Sequence, residues 1–153
     1  PEEEYARAMV LKGQGRFKEA IELFHAAVKD KSFWFKAYAQ VGYCYIKMRE
    51  PQAAIQAFRT ALDDSTAEPT EMMDVLYCLA RSLESVGKVD QAREVYEQIN
   101  QATPPFRDVA QRLQQLSRSP KPLVNGDAQP TETHSWLSGM IGNVQRFLIG
   151  SQK

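Results

Sequence analysis

Small and bulky apolar residues return along this chain at fixed offsets. Ala20, Ala54 and Ala92 each precede an aromatic residue by four positions (Phe24, Phe58, Tyr96) and a small or aliphatic one by seven (Ala27, Ala61, Ile99). Twelve positions before each alanine stands a small residue (Ala8, Gly42, Ala80), and nine before it a bulky one (Leu11, Tyr45, Leu83). Small residues let helix backbones approach, and the bulky ones fill the space between them. Gly15 and Gly87, five positions before their alanines, suit a left-handed helix terminus. The pattern predicts helix, tight turn, helix, repeated at intervals of 34 and 38 residues, a period that marks a stack of similar units. The units are 1–34, 35–68 and 73–106.

Beyond them, Pro104 and Pro105 break the pattern, and Phe106, Val109, Ala110, Leu113 and Leu116 recur at helical spacing. Arg107, Asp108, Gln111, Arg112, Gln114 and Gln115 lie between them and read as the polar face. This predicts a solvating helix over about 105–117, covering the stacking face of the last unit. Residues 119–133, with Pro120, Pro122, Pro130 and Asn125-Gly126-Asp127, read as a flexible linker spanning roughly 20 Å. Trp136, Leu137, Met140, Ile141, Val144, Phe147 and Leu148 then form one apolar stripe of a helix within 134–153, with Ser135 as N-cap and Gly150 as terminator. Gly139 and Gly142 each cost such a helix about 1 kcal/mol relative to alanine, so it needs a surface to fold on.

The repeated pattern resembles the tetratricopeptide repeat, a helix-turn-helix unit. Ala8, Leu11, Gly15, Phe17, Ala20, Phe24 and Ala27 stand in its signature places in unit one, and Tyr38, Val41, Gly42, Tyr45, Ala54, Phe58 and Ala61 in unit two. Unit three has Leu76, Leu79, Ala80, Leu83, Gly87, Ala92, Tyr96, Ile99 and Pro104. The resemblance implies an all-α, right-handed superhelical array with a capping helix, followed by the amphipathic tail. Two departures stand out. Four extra residues around Asp64–Thr70 are expected to lengthen one loop, and Arg49 occupies the turn position of Gly15 and Gly87, which predicts strain there. The stretch from Tyr96 to Leu116 resembles the segment that closes such repeat arrays in bacterial proteins.

The resemblance also implies a concave groove lined by the first helix of each unit. Carried over residue by residue, its lining is Tyr5, Met9 and Lys12 from unit one, Lys36, Tyr43, Ile46 and Lys47 from unit two, and Tyr77 and Arg81 from unit three. Glu2, Gly13, Ala39, Asp74, Glu84 and Ser85 share those faces. Members that grip a peptide's terminal carboxylate use lysine and asparagine where this chain has Tyr5 and Met9. The expected ligand is instead an amphipathic helix or hydrophobic peptide, gripped by an aromatic and aliphatic centre with a charged rim. The tail fits that description, so it is expected to dock in its own groove or in a neighbour's, with autoinhibition or self-association as the consequence. The alternative is a peripheral membrane adaptor, its tail lying on a lipid surface; Arg146 and Lys153 give that tail little positive charge.

Composition removes other classes. Formal net charge is zero, which gives no basic surface for nucleic acid. No apolar run approaches a membrane span. The start at Pro1 reads as a fragment of a longer protein; the expected compartment is the cytoplasm, with the periplasm as the alternative. Cys44 and Cys78 read as reduced, packed thiols, and His25 as a surface side chain. Gly13-Gln14-Gly15 is the start of a phosphate loop only in outline, since no strand precedes it and no lysine is suitably placed. No enzyme, cofactor or metal site is expected.

Overall fold

The computed structural model describes residues 1–63 and 67–118. All regular elements among them are helices: α1 (Glu2–Gly13), α2 (Phe17–Ala27), α3 (Trp34–Lys47), α4 (Pro51–Leu62), α5 (Pro69–Ser85), α6 (Val89–Ala102) and α7 (Val109–Arg118), with one 3-10 turn at Lys31–Phe33. Each helix packs mainly on the next, so that α1 with α2, α3 with α4 and α5 with α6 form three stacked pairs closed by α7. The tail stripe, from Trp136 to Leu148, lies outside the described residues.

The turns inside the three pairs are built alike. Gly15 (φ 77°), Arg49 (φ 61°) and Gly87 (φ 80°) are all left-handed. The following amide in each case donates back to the bulky residue of the repeat pattern: Arg16 N to Leu11 O, Glu50 N to Tyr45 O and Lys88 N to Leu83 O, all at 2.9 Å. The left-handed residue's own amide reaches the carbonyl three residues earlier, at 3.0, 3.0 and 3.1 Å. This pair of bonds satisfies carbonyls that a helix end leaves open, and it requires positive φ. Gly13-Gln14-Gly15 is thus a helix terminus. Arg49 carries the strain its position predicts, because its Cβ crowds the backbone in this conformation.

Most of the signature residues lie in the core, while Leu11, Phe17, Tyr38 and Tyr45 are only partly buried and Gly15, Gly87 and Pro104 are exposed. Ala8, Ala20, Phe24 and Ala27 are buried with Ile21, Ala37, Val41, Cys44 and Ala57 between units one and two. A second, larger cluster joins Phe58 and Ile55 of α4 to Leu76, Leu79 and Leu83 of α5, Val95, Tyr96 and Ile99 of α6, and Val109 and Leu116 of α7. At Gly42 an added Cβ would come within 2.4 Å of the Phe58 ring, so the smallest side chain is required by contact and not by backbone angle. Trp34 fastens the start of α3 to the end of α4, its indole N–H donating to the Thr60 carbonyl at 2.9 Å.

Three expectations are corrected. The extra residues before unit three do not all form loop: α5 begins at Pro69, four residues ahead of Met73, and runs for 17 residues. Proline at N1 favours this start, because it lacks only an N–H that would have no helical partner, while Glu68 before it stays extended (ψ 142°). The capping helix begins at Val109, later than about 105, since the diproline and a left-handed Arg107 (φ 44°) hold the chain out of helix until then. On that helix Ala110 faces solvent, whereas Arg112, expected outside, turns inward. Its side chain is 17% exposed and reaches Glu84 and Asp108. Length explains this inversion: the aliphatic stem of an arginine can cover apolar surface while its guanidinium finds carboxylates at the edge.

Candidate protein-binding face

The first helices of the pairs, α1, α3 and α5, together line one cavity of about 370 Å³, and a second of similar volume lies between α3, the turn after it, the start of α4 and α5. The first is lined by Tyr5 from α1, by Phe35, Lys36, Ala39, Gln40 and Tyr43 from α3, and by Glu71, Asp74 and Val75 from α5. Its floor is aromatic. Tyr5 meets the Phe24 ring edge-on at 5.4 Å and Phe33 at the same distance, and Tyr43 meets Phe58 edge-on at 5.4 Å. These contacts run into the core, so the floor is fixed by the same rings that hold the repeats together. Burial raises the pKa of both Tyr5 and Tyr43, which keeps their hydroxyls neutral.

Charge lies inside this cavity as well as around it. Glu71 and Asp74 stand on the α5 wall and Lys36 on α3. Asp74 is paired with Arg107 at 2.6 Å. Lys12 donates to the Gln40 amide oxygen and sits 5.5 Å from the centre of the Tyr43 ring, a cation–π distance. The expectation of an apolar centre with charge confined to the rim therefore needs amendment: polar groups of both signs line the cavity itself.

The second cavity lies nearer the intra-pair turns and is lined by Ile46, Arg49, Pro51, Arg81, Ser82 and Ser85. Of the carried-over groove residues, Tyr5, Lys36 and Tyr43 are gathered in the first cavity and Ile46 and Arg81 in the second, with Lys12 beside the first. Met9 and Ile46 are each 38% exposed. Met9 and Lys47 line neither cavity. Tyr77 is held elsewhere: it is buried, its hydroxyl donates to the Asp108 carboxylate at 2.6 Å, and the Arg107 guanidinium lies 4.7 Å from its ring centre. The segment ahead of α7 thus covers the site where Tyr77 would have faced a ligand. Tyr77's hydrogen bond is also the leading cause that lowers the pKa of Asp108.

Four residues lining the first cavity, Phe35, Gln40, Glu71 and Val75, lie outside the groove positions read from sequence, as does Ser82 in the second. Phe35 and Gln40 fall off the repeat-derived positions, and nothing in their local pattern distinguishes them. Glu71 had a signal: Glu68-Pro69-Thr70-Glu71 is a helix start with proline at N1 and an acid in the first turn. Starting the unit at Met73 concealed it. Cys44 and Cys78 are free thiols whose pKa values are raised by burial, so neither is poised as a thiolate. His25 is exposed and meets the Tyr38 ring edge at 5.6 Å. Among the described residues there is no cluster of metal-ligating side chains and no helix long and apolar enough to cross a membrane.

Stacked helical pairs with a cavity-bearing face built from successive first helices define a repeat module of the kind that docks other polypeptides. The sequence profile of the tetratricopeptide repeat matches residues 5–69 and, in an overlapping register, 42–105. The chain belongs to that family, whose repeats are protein–protein interaction modules. Comparison with curated proteins returns no match.

Proposed function

We propose that the array is a non-enzymatic scaffold whose first-helix face accepts an amphipathic helix or extended apolar peptide, and that the segment 135–149 of the same chain is one such ligand. The observation that carries this reading is the cavity assembled from α1, α3 and α5 around Tyr5, Phe35 and Tyr43. No single helix could supply it, and its aromatic floor suits an apolar side chain entering from a peptide. The tail offers Trp136 and Phe147 on one stripe, and tethering through a linker of 15 residues raises its local concentration to the millimolar range or so. Docking in cis would make the module self-inhibited; docking on a neighbour would make it self-associate.

The test is the full chain against its Trp136→Ala/Phe147→Ala variant, compared by NMR. Docking predicts that the ring resonances of Tyr5 and Tyr43 move in the variant, and sedimentation separates cis from neighbour docking. Unchanged tyrosine environments would remove the tail as ligand. Loss of binding to anionic vesicles in the same variant would move the tail to a membrane surface instead.

A further inference from the structure

The second cavity has a chemistry of its own. Arg49 reaches it from the turn between α3 and α4, and Arg81 from the last third of α5. Arg49 holds a left-handed backbone (φ 61°) at the register position where the two sibling turns have Gly15 and Gly87. Glycine would adopt that angle without crowding, whereas arginine places a guanidinium side chain here at a local backbone cost.

Both guanidinium groups are weakly neutralised. Among the described residues no salt bridge reaches Arg49. Among the same residues Arg81, with a side chain 48% exposed, has one long ion pair, with Glu84 at 4.0 Å. Glu84 is already engaged: it accepts from the Tyr96 hydroxyl at 2.9 Å and from Arg112 at 3.1 and 3.2 Å. The two serine hydroxyls of the cavity donate to backbone carbonyls, Ser82 to Cys78 and Ser85 to Ser82. The guanidinium groups are therefore the donors left to meet a ligand. Beside them stand Ile46, more than a third exposed, and Pro51, which give the cleft an aliphatic wall.

We propose that this cleft is an anion-accepting subsite of the peptide-binding face, taking a carboxylate side chain of a bound peptide between Arg49 and Arg81 while Ile46 and Pro51 meet an adjacent aliphatic residue. The inference rests on the reading of the array as a peptide-binding scaffold and adds a requirement to its ligand. Guanidinium forks match the planar carboxylate in charge and geometry. A polyanion is disfavoured, since the chain as a whole has no net positive charge to hold one.

The full chain, labelled for NMR, is titrated with N-acetyl-Leu-Glu-amide, with N-acetyl-Leu-Gln-amide and with inorganic phosphate. The Leu-Glu probe is expected to shift the Arg49 and Arg81 Nε–H resonances and the Ile46 methyls saturably, with the Leu-Gln probe at least tenfold weaker. Arg49→Gly and Arg81→Gln should each weaken the response about fivefold or more. Arg49→Gly relieves backbone strain, so a loss of response in that variant is not a loss of folding. Equal response to Leu-Gln, a phosphate response matching that of Leu-Glu without movement of Ile46, or no response at all would overturn the subsite. The tyrosine test of the tail is independent: moving Tyr5 and Tyr43 with silent arginines leaves the scaffold reading standing and removes only the subsite.

Discussion

Units two and three fill the same position with rings of different chemistry. Phe58 is wholly buried over Gly42, where any Cβ would intrude, and its neighbours are apolar or aromatic. Tyr96, equally buried at the matching repeat position, carries a hydroxyl that donates to Glu84. Glu84 in turn holds Arg112 of α7, which also pairs with Asp108 at 2.9 Å. Inside the stack the next layer is another repeat, so fit between apolar surfaces is enough. At its end the last repeat meets a single helix with a polar outer face, and the buried ring gains a polar handle that ties the cap in place. A repeat can thus keep one shape while the contacts that hold it change from apolar fit to charge and hydrogen bonding.

The largest effect should come from the apolar side of the comparison. Gly42→Ala forces a methyl into the Phe58 ring and is expected to destabilise the array by about 1–3 kcal/mol in a denaturant melt. Adding Phe58→Leu should return part of that loss, and a single variant that melts like the parent would mean that Phe58 is not seated on Gly42. On the polar side Tyr96→Phe keeps the ring and removes one hydrogen bond, which costs about 1 kcal/mol.

That pair also makes a prediction in pH. Burial first, and then the Glu84 carboxylate, raise the pKa of Tyr96 above its ordinary value. A raised folded-state pKa contributes stability that is present below the unfolded value of about 10 and is lost as pH rises beyond it. Tyr96→Phe should therefore flatten part of the alkaline loss seen for the parent above about pH 10, and identical alkaline profiles would count against the buried hydroxyl. Smallest is the change at the turn: Arg49→Gly should stabilise unit two by about 0.5–1 kcal/mol, read as a higher denaturant midpoint, because the relief of left-handed strain exceeds the added freedom of the unfolded chain.

The turns and the cap show how far local pattern carries. Arg49 was legible as strained because three turns share one register and only one lacks glycine; the positive φ follows from position alone. The lining of the two cavities was legible where it follows the repeat, at Tyr5, Lys36 and Tyr43, and at Ile46 and Arg81. It was not legible at Tyr77 or Arg112. Both depend on where α7 lands, and α7 lands where a left-handed Arg107 and the preceding prolines let it begin. Glu71 was missed for a simpler reason, since a family-sized unit hid the extra turn that Pro69 starts.

By itself the sequence determined the helical pairs, their order, the left-handed turns and the rings of the core, because each of these is fixed within a few residues by periodicity, steric fit or φ. Only the assembled helices set how the cavities are lined. Their packing drew Tyr5, Phe35 and Glu71 from three helices into one cavity, set Arg49 beside Arg81 in another, and covered Tyr77 with the segment before the cap. Those contacts join residues some thirty or more positions apart, and no local rule fixes the distance between side chains that the fold brings together across helices.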